Sequence, residues 1–124
     1  MVGVEGDAGL VERACANARR NAITNAQFHS WDLNTEVADS AWYRQPYTHV
    51  LIDPPRIGAR ELLPRVAQLA PRRVVYVSCH PATLARDVGI LVHEHGFELA
   101  AAGVVDMFAH TAHVESIALL EARQ

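Results

Sequence analysis

The chain has 124 residues, of which half are hydrophobic, so it can form one domain with a buried core and is not disordered. Its net charge of −3 gives no overall basic character, so a contact with nucleic acid must come from a local patch. No stretch approaches the roughly 20 apolar residues of a membrane span, and no secretion signal begins the chain, which predicts a cytoplasmic protein with no membrane partner. We interpret Cys15 and Cys79 as reduced thiols.

Strand and helix patterns alternate along the chain, which predicts an α/β fold with a mainly parallel sheet in a single domain over 1–124. The first helix begins after Asp7, a typical N-cap residue. In chain order, we predict a strand over 1–5, a helix to about 21, a strand over 26–31, a short helix over 35–42, a strand over 47–53, a helix over 59–69, a strand over 73–79, a helix over 81–94, and strands over 97–107 and 113–121.

Proline and glycine mark the ends of several of these elements. Two prolines and a glycine predict a loop over 53–58, and Pro64 predicts a kink or a late start in the helix that follows. Gly96 is expected to end the helix over 81–94. No helix separates the last two strands, so we expect them to form an antiparallel hairpin.

Polar residues stand where the predicted strands end. In open α/β sheets, ligands bind beyond the carboxyl ends of the strands. The residues at those ends are Glu5, Asp32, Asp53 and Cys79. A carboxylate such as Glu5 can accept hydrogen bonds from both hydroxyls of a ribose, although an acid in this position can equally serve only to cap a helix.

Cys79 lies between a β-branched strand and a helix that starts with Pro81. The free N–H groups of a helix N-terminus stabilise negative charge, and a thiolate is the reactive form of cysteine. The position therefore suits a nucleophile, and the alternative is a small thiol buried in the core.

Three motifs in order resemble the signatures of the RNA uracil-5-methyltransferases that use S-adenosylmethionine, in particular the type that modifies 23S ribosomal RNA. They are Asp-Pro-Pro-Arg over 53–56, Ser-Cys-His-Pro-Ala-Thr-Leu-Ala-Arg-Asp over 78–87, and Asp-Met-Phe-Ala-His-Thr-Ala-His-Val-Glu-Ser over 106–116. The resemblance covers nearly the whole chain. It implies the Rossmann-like methyltransferase fold, S-adenosylmethionine as cofactor and RNA as substrate, with ribosomal RNA expected.

The resemblance also implies roles for single residues. Cys79 matches the nucleophile that adds to carbon 6 of uracil, and Glu115 matches the base that removes the proton from carbon 5. Positions that hold the cofactor are matched by Glu5, Asp32 and Asp53, and contacts with RNA are expected from Arg56, His80 and Arg86. For Arg86, a structural ion pair with a nearby acid is an equal alternative. His80 stands where the family usually has asparagine.

On this resemblance, Met1 lies at the start of the family's second strand, so we expect the first strand and its glycine-rich loop to be absent from this partial catalytic domain. Their absence would leave two strands with unpaired edges. We expect either that the strand ending at Glu5 pairs directly with the strand ending at Asp53, or that two copies form a homodimer by exchanging strands or a hairpin.

Three other interpretations stay open at this point. His110, His113 and Glu115 are close in sequence and could hold zinc, but no fourth ligand stands at a recognisable spacing, so no metal is expected. An amino-methyltransferase also carries Asp-Pro-Pro, but there an aromatic residue normally follows, where this chain has Arg56. A non-catalytic fragment could act as a binding or assembly module.

Overall fold

The computed structural model describes residues 1–32, 35, 40–107, 109–111 and 113–123, and these form two compact units, 1–45 and 46–124. The predicted helix over 35–42 falls mainly outside the described residues. No helix in the described ranges is long and apolar enough to cross a membrane.

The first unit consists of β1 (Val2–Glu5), α1 (Ala8–Arg20) and β2 (Gln27–Ser30). The two strands are parallel, with Glu5 opposite Ser30 at their carboxyl ends. Asp7 caps α1 as predicted, because its Oδ1 accepts a hydrogen bond from the backbone N–H of Leu10 at 3.0 Å. The strands and the helix predicted in this region are confirmed, with slightly shorter strands.

The second unit has a four-stranded sheet. Its strands are β3 (His49–Ile52), β4 (Arg73–Ser78), β5 (Phe97–Val105) and β6 (Glu115–Ala122), in the spatial order β3-β4-β6-β5. β3 and β4 are parallel, whereas β6 runs antiparallel to both β4 and β5. The antiparallel hairpin predicted at the end of the chain is therefore confirmed.

The helices of this unit are α2 (Leu63–Gln68) and α3 (Pro81–Glu94). A single 3₁₀ turn over Arg60–Leu62 precedes α2, and Pro64 lies in the first turn of α2, which confirms the predicted late start. After α3, Gly96 adopts a φ of +74°, a left-handed conformation that ends the helix as predicted.

The core of the second unit lies where α2 and α3 meet one face of the sheet. Alternate residues of β4 and β6 point to this face, because side chains of a strand alternate between its two sides. The largest fully buried side chains here include Tyr76, Leu63, Leu91, Leu120 and Val74. This packing fixes the end of β4 and the start of α3, where the nucleophile was predicted.

One expectation about the strand edges is wrong. β1 pairs with β2 in a two-stranded sheet, and β3 pairs with β4 in the four-stranded sheet, so among the described strands β1 and β3 are not hydrogen-bonded neighbours. Each of these two strands instead pairs in parallel with the next strand of the chain, after a helical crossover. The second expectation, strand exchange between two copies, stays a prediction.

β3 pairs on one side only within the described sheet, and its Leu51 side chain is 68% exposed. An apolar edge strand of this kind recruits a further strand. Light scattering after size-exclusion chromatography is expected to give twice the mass of one chain, and the Leu51→Lys variant is expected to shift toward the monomer, because a charge on an edge strand opposes pairing. A monomeric parent chain that unfolds cooperatively would contradict strand exchange.

Candidate active site

Cys79 occupies the connection between β4 and α3, directly after Ser78. The Ser78 side chain is fully buried, and its Oγ accepts a hydrogen bond from the His80 backbone N–H at 3.0 Å and lies 3.2 Å from the His80 carbonyl oxygen. Both contacts run between Ser78 and His80, the two residues that flank Cys79. The half-buried thiol is therefore carried on a backbone segment that the buried serine holds in place.

His80 is the N-cap of α3. Its backbone is extended, and its Nδ1 accepts a hydrogen bond from the Thr83 backbone N–H at 3.3 Å. Asparagine, the residue expected here on the family pattern, is also a good N-cap, so histidine retains the capping role with a different acceptor. The structure thus gives His80 a capping role, and its predicted contact with RNA remains a prediction.

Glu115 opens β6 next to the end of β4. The last pair of this antiparallel ladder joins Ser78 to Ser116, and the Ser116 Oγ donates a hydrogen bond to the Ser78 carbonyl oxygen at 2.9 Å. Continuing this register by one residue beyond the last pair would set Glu115 opposite Cys79, and residues opposite each other on antiparallel strands project to the same face. The strand ends that adjoin the two predicted catalytic residues therefore lie side by side, and the catalytic roles remain predictions.

Asp53 follows β3, which is parallel to β4 and ends at the same edge of the sheet as Cys79. The loop after it turns tightly, with the Gly58 N–H donating to the Pro55 carbonyl oxygen at 2.8 Å and with Gly58 at a φ of +89°. Arg56 is exposed, and its carbonyl oxygen accepts a hydrogen bond from the Thr83 Oγ1 at 3.2 Å. Asp53 and Arg56 are therefore on a loop that is tied to α3.

Arg86 forms an ion pair with Asp87. This confirms the alternative given for Arg86 above, a structural ion pair with a nearby acid. Its Nε lies 2.8 Å from Asp87 Oδ1, and its Nη2 donates to the Ile57 carbonyl oxygen at 2.9 Å. The Asp87 Oδ2 also accepts hydrogen bonds from the Tyr76 hydroxyl at 2.5 Å and from the Ala59 N–H at 2.7 Å. A contact between Arg86 and RNA remains a prediction.

Sequence analysis did not identify Asp87 and Tyr76 as part of this region. Burial alone would raise the pKa of Asp87, but hydrogen bonds from Arg86, Tyr76 and the Ala59 N–H outweigh it, so this pKa lies below its ordinary value. Burial and the neighbouring carboxylate raise the pKa of Tyr76, which keeps its hydroxyl protonated as a donor. A signal was present in the sequence, since Asp87 falls on the buried face of α3 with Leu84 and Leu91.

Glu5 and Asp32 belong to the first unit. Glu5 ends β1 in an exposed position, and its Oε1 accepts a hydrogen bond from the Asp7 N–H at 3.0 Å, which orients the carboxylate. Asp32 is exposed shortly after β2, and because β1 and β2 are parallel, both acids are at the carboxyl edge of this sheet. The strand ends thus carry acids as the sequence predicted.

The sequence left zinc open as an alternative for His110, His113 and Glu115. Within the part of the chain that the structure describes, no three histidine, cysteine, aspartate or glutamate side chains are grouped so that they could hold a metal ion. His110 lies in an exposed turn with a φ of +65°, and Glu115 begins a strand.

Comparison with known proteins decides the family. The model of the tRNA (Uracil-5-)-methyltransferase family matches residues 9–123. The chain belongs to this family. It is 58% identical over 123 residues to the 23S rRNA (uracil(1939)-C(5))-methyltransferase RlmD of Stenotrophomonas maltophilia strain R551-3, and 57% identical to the protein of the same name from Xanthomonas oryzae pv. oryzae strain MAFF 311018. These alignments cover 99% of the chain and 28% of each relative, so the chain spans less than a third of their length.

Solved structures confirm the predicted Rossmann-like methyltransferase fold. The tRNA (uracil-54, C5)-methyltransferase of Pyrococcus abyssi, solved with S-adenosyl-L-homocysteine, superimposes with a TM-score of 0.79 at 31% identity, over 96% of this chain and 28% of that one. NSun6 of Pyrococcus horikoshii gives a TM-score of 0.76 at 12% identity, over 99% of this chain and 41% of that one, which shows likeness of fold alone. The family resemblance inferred from the three motifs is confirmed.

The capping role of His80 gives a test in this family member. His80→Ala removes the side-chain acceptor of the Thr83 N–H but keeps the His80 carbonyl oxygen, 3.1 Å from the same N–H, and is expected to lower the free energy of unfolding by at most about 1 kcal/mol. His80→Asn keeps a side-chain acceptor and is expected to match or exceed the parent. Urea unfolding measures both. The control is His93→Ala, at an exposed position on the same helix. Equal stability of the parent and His80→Ala would contradict the cap.

Proposed function

We propose that this chain carries the reacting residues of a methyltransferase that modifies carbon 5 of a uridine in RNA, with 23S ribosomal RNA as the substrate. The observation that supports the proposal is the β4–β6 register, whose last pair joins Ser78 to Ser116; one further step of this register would set Glu115 opposite Cys79, just before the first turn of α3. The choice of ribosomal over transfer RNA rests on the names of the relatives at 57–58% identity.

The chemistry needs both residues because carbon 5 of uracil is a poor nucleophile. The Cys79 thiolate forms a bond to carbon 6, and the electron pair of the C5–C6 double bond moves into the ring to give an enolate. Carbon 5 would then take the methyl group of a sulfonium donor, whose S–CH3 bond breaks as the new bond forms and which leaves as a neutral thioether. The Glu115 carboxylate takes the proton from carbon 5, the C5–C6 double bond returns, and the Cys79 thiolate leaves. The net change replaces one hydrogen by one methyl group.

The Cys79 sulfur carries negative charge twice in this reaction, as the thiolate that attacks carbon 6 and as the thiolate that leaves it. Cys79 stands two residues before the start of α3, and the N-terminus of a helix carries partial positive charge. Charge on Glu115 is needed for proton removal, and the position at the start of a strand keeps its side chain only half-buried and in contact with water. The Cys79 thiol therefore lies beside a helix N-terminus, whereas the Glu115 carboxyl group is in contact with water.

The proposed cofactor is S-adenosylmethionine, which supplies a methyl group on a sulfonium when bound. Glu5 fits a role toward its ribose, because a backbone N–H fixes one carboxylate oxygen while the side chain is exposed. In the first unit Asp32 is the second proposed ligand, and in the second unit Asp53 follows a parallel strand at the edge where Cys79 lies. Each of these acids stands where ligands bind in such sheets.

RNA contacts are proposed for Arg56, His80 and Arg86. Arg56 is exposed on the loop after Asp53 and suits a phosphate or a base edge. His80 uses Nδ1 for the cap, which leaves Nε2 as the ring atom that can reach a substrate. The Arg86 side chain is 39% exposed, so it can meet RNA while it holds Asp87.

Trapping with RNA that contains 5-fluorouridine tests the proposal. Fluorine replaces the hydrogen that must leave carbon 5 as a proton and cannot itself leave as a cation, so the thiol is not eliminated. The bond between the thiol and carbon 6 then persists, and the chain migrates with the RNA after denaturation. In the presence of S-adenosylmethionine, the parent chain is expected to form this adduct, and Cys79→Ala is expected to lose it.

Two variants serve as matched controls. Cys15→Ala removes the other cysteine and should leave the adduct unchanged. Glu115→Gln should also form the adduct, because the base acts only after the thiol has attacked. No adduct with the parent chain, or an undiminished adduct with Cys79→Ala, would contradict the proposed function.

A further inference from the structure

We propose that Asp87 is a positioning residue that holds the loop over 53–59 in a fixed place relative to Cys79. The expected effect on catalysis rests on the proposed function. The claim that Asp87 holds the loop rests only on contacts within the second unit. Asp87 is fully buried, carries no role in the proposed chemistry, and contacts both the loop and the strand that precedes the nucleophile.

The loop contacts α3 through the backbone of three of its residues, Arg56, Ile57 and Ala59. The Ile57 carbonyl oxygen accepts a hydrogen bond from Arg86 Nη2, and the Ala59 N–H donates one to Asp87 Oδ2. The Arg56 carbonyl oxygen lies 3.2 Å from Thr83 Oγ1, which is shared with the His80 carbonyl oxygen at 2.9 Å. Polar contacts to several backbone groups fix both the path of a chain segment and its distance from the element that it contacts. The path of the segment that leads back to Asp53 is therefore set by the first two turns of α3.

The same carboxylate also reaches β4. Tyr76 is fully buried in the core and donates its hydroxyl to Asp87 Oδ2, so the oxygen that receives the Ala59 N–H is itself fixed from the sheet. Tyr76 is on β4, three residues before Cys79, which directly follows the strand. One buried oxygen thus joins the loop to the strand that presents the thiol.

The close approach of these groups requires glycine at position 58. A Cβ built on Gly58 would lie 2.5 Å from Arg86 Nη2 and 2.6 Å from Asp87 Oδ2, closer than real contacts allow, and its φ of +89° already disfavours other residues. The loop therefore packs its backbone directly on the ion pair. A larger residue there would separate the loop from Asp87.

An exposed ion pair contributes little, but this carboxylate is buried and accepts from three different donors. Removing its charge leaves the Ala59 N–H and the Tyr76 hydroxyl with a weaker acceptor, and frees Arg86 from its partner. The loop then gains freedom while the apolar core of the sheet keeps its packing. Asp53 and Arg56 would then no longer be held in a fixed position relative to the Cys79 thiol.

Hydrogen exchange measured by mass spectrometry on the full chain tests this role. In Asp87→Asn, exchange over the loop is expected to be faster by about tenfold or more, since each hydrogen bond to a charged group is lost or weakened. Peptides from α1 and from β5 should exchange at the parent rate. Tyr76→Phe, which keeps the ring in the core, is expected to give the same pattern with a smaller increase. The matched control is Glu94→Gln, an exposed acid at the end of the same helix.

A second readout separates this proposal from the proposed function. The rate of adduct formation with 5-fluorouridine RNA is expected to fall about tenfold or more in Asp87→Asn and to stay at the parent rate in Glu94→Gln. Unchanged loop exchange in both Asp87→Asn and Tyr76→Phe would overturn the positioning role, as would a loosened loop with an unchanged adduct rate. A parent chain without any adduct would contradict the proposed function, and the exchange data would still decide whether Asp87 holds the loop.

Discussion

The second unit depends on β6, which runs antiparallel to both of its neighbours and lies between β4 and β5. Three of its side chains, Ser116, Ala118 and Leu120, are buried on the face that meets the helices. A shift of this strand by one residue would turn those side chains to the other face, so the register is strongly fixed. Cys79 and Glu115 adjoin the last pair of this ladder, so the packing of the core also fixes the strand ends that carry the two proposed reacting residues.

A second set of contacts acts on the loop after β3. The Asp87 carboxylate on α3 accepts hydrogen bonds from the Ala59 N–H of that loop and from the Tyr76 hydroxyl of β4. At the end of β4, buried Ser78 makes two contacts with the His80 backbone across Cys79. Sites assembled from strand ends gain precision when each side chain is held by packed elements and not by its own loop.

The elements could be predicted where local signals were strong. Asp7 caps its helix, Pro64 delays the start of α2 and Gly96 ends α3, because each acts through backbone geometry within a few residues. The family motifs identified Cys79 and Glu115. The order of the strands was not available from the pattern, because the insertion of β6 between β4 and β5 depends on pairing between residues about 40 positions apart in the chain. The direct pairing expected between β1 and β3 was wrong for a similar reason.

The polar network around Asp87 illustrates the same limit. Its partners come from Ala59, Tyr76 and Arg86, and only the last is a neighbour in sequence. An acid on the buried face of a predicted helix indicates that partners exist, but the pattern does not identify them. His80 is a different case, since imidazole is an uncommon cap and its use of Nδ1 becomes apparent only from the geometry at the start of α3.

The central claim is that Cys79 and the residue at position 115 face each other at the end of the β4–β6 pair. Oxidative cross-linking tests it without a need for catalysis, because opposite residues on antiparallel strands have Cα atoms about 4.5–5.5 Å apart, within the range a disulfide can span. In a Cys15→Ser background, Glu115→Cys is expected to form an intrachain disulfide with Cys79 under mild oxidation, as peptide masses would show. The control, Glu98→Cys, lies on β5 opposite Glu121 at the far end of the sheet and should not form one. A Glu115→Cys variant that cross-links no more than this control would contradict the account.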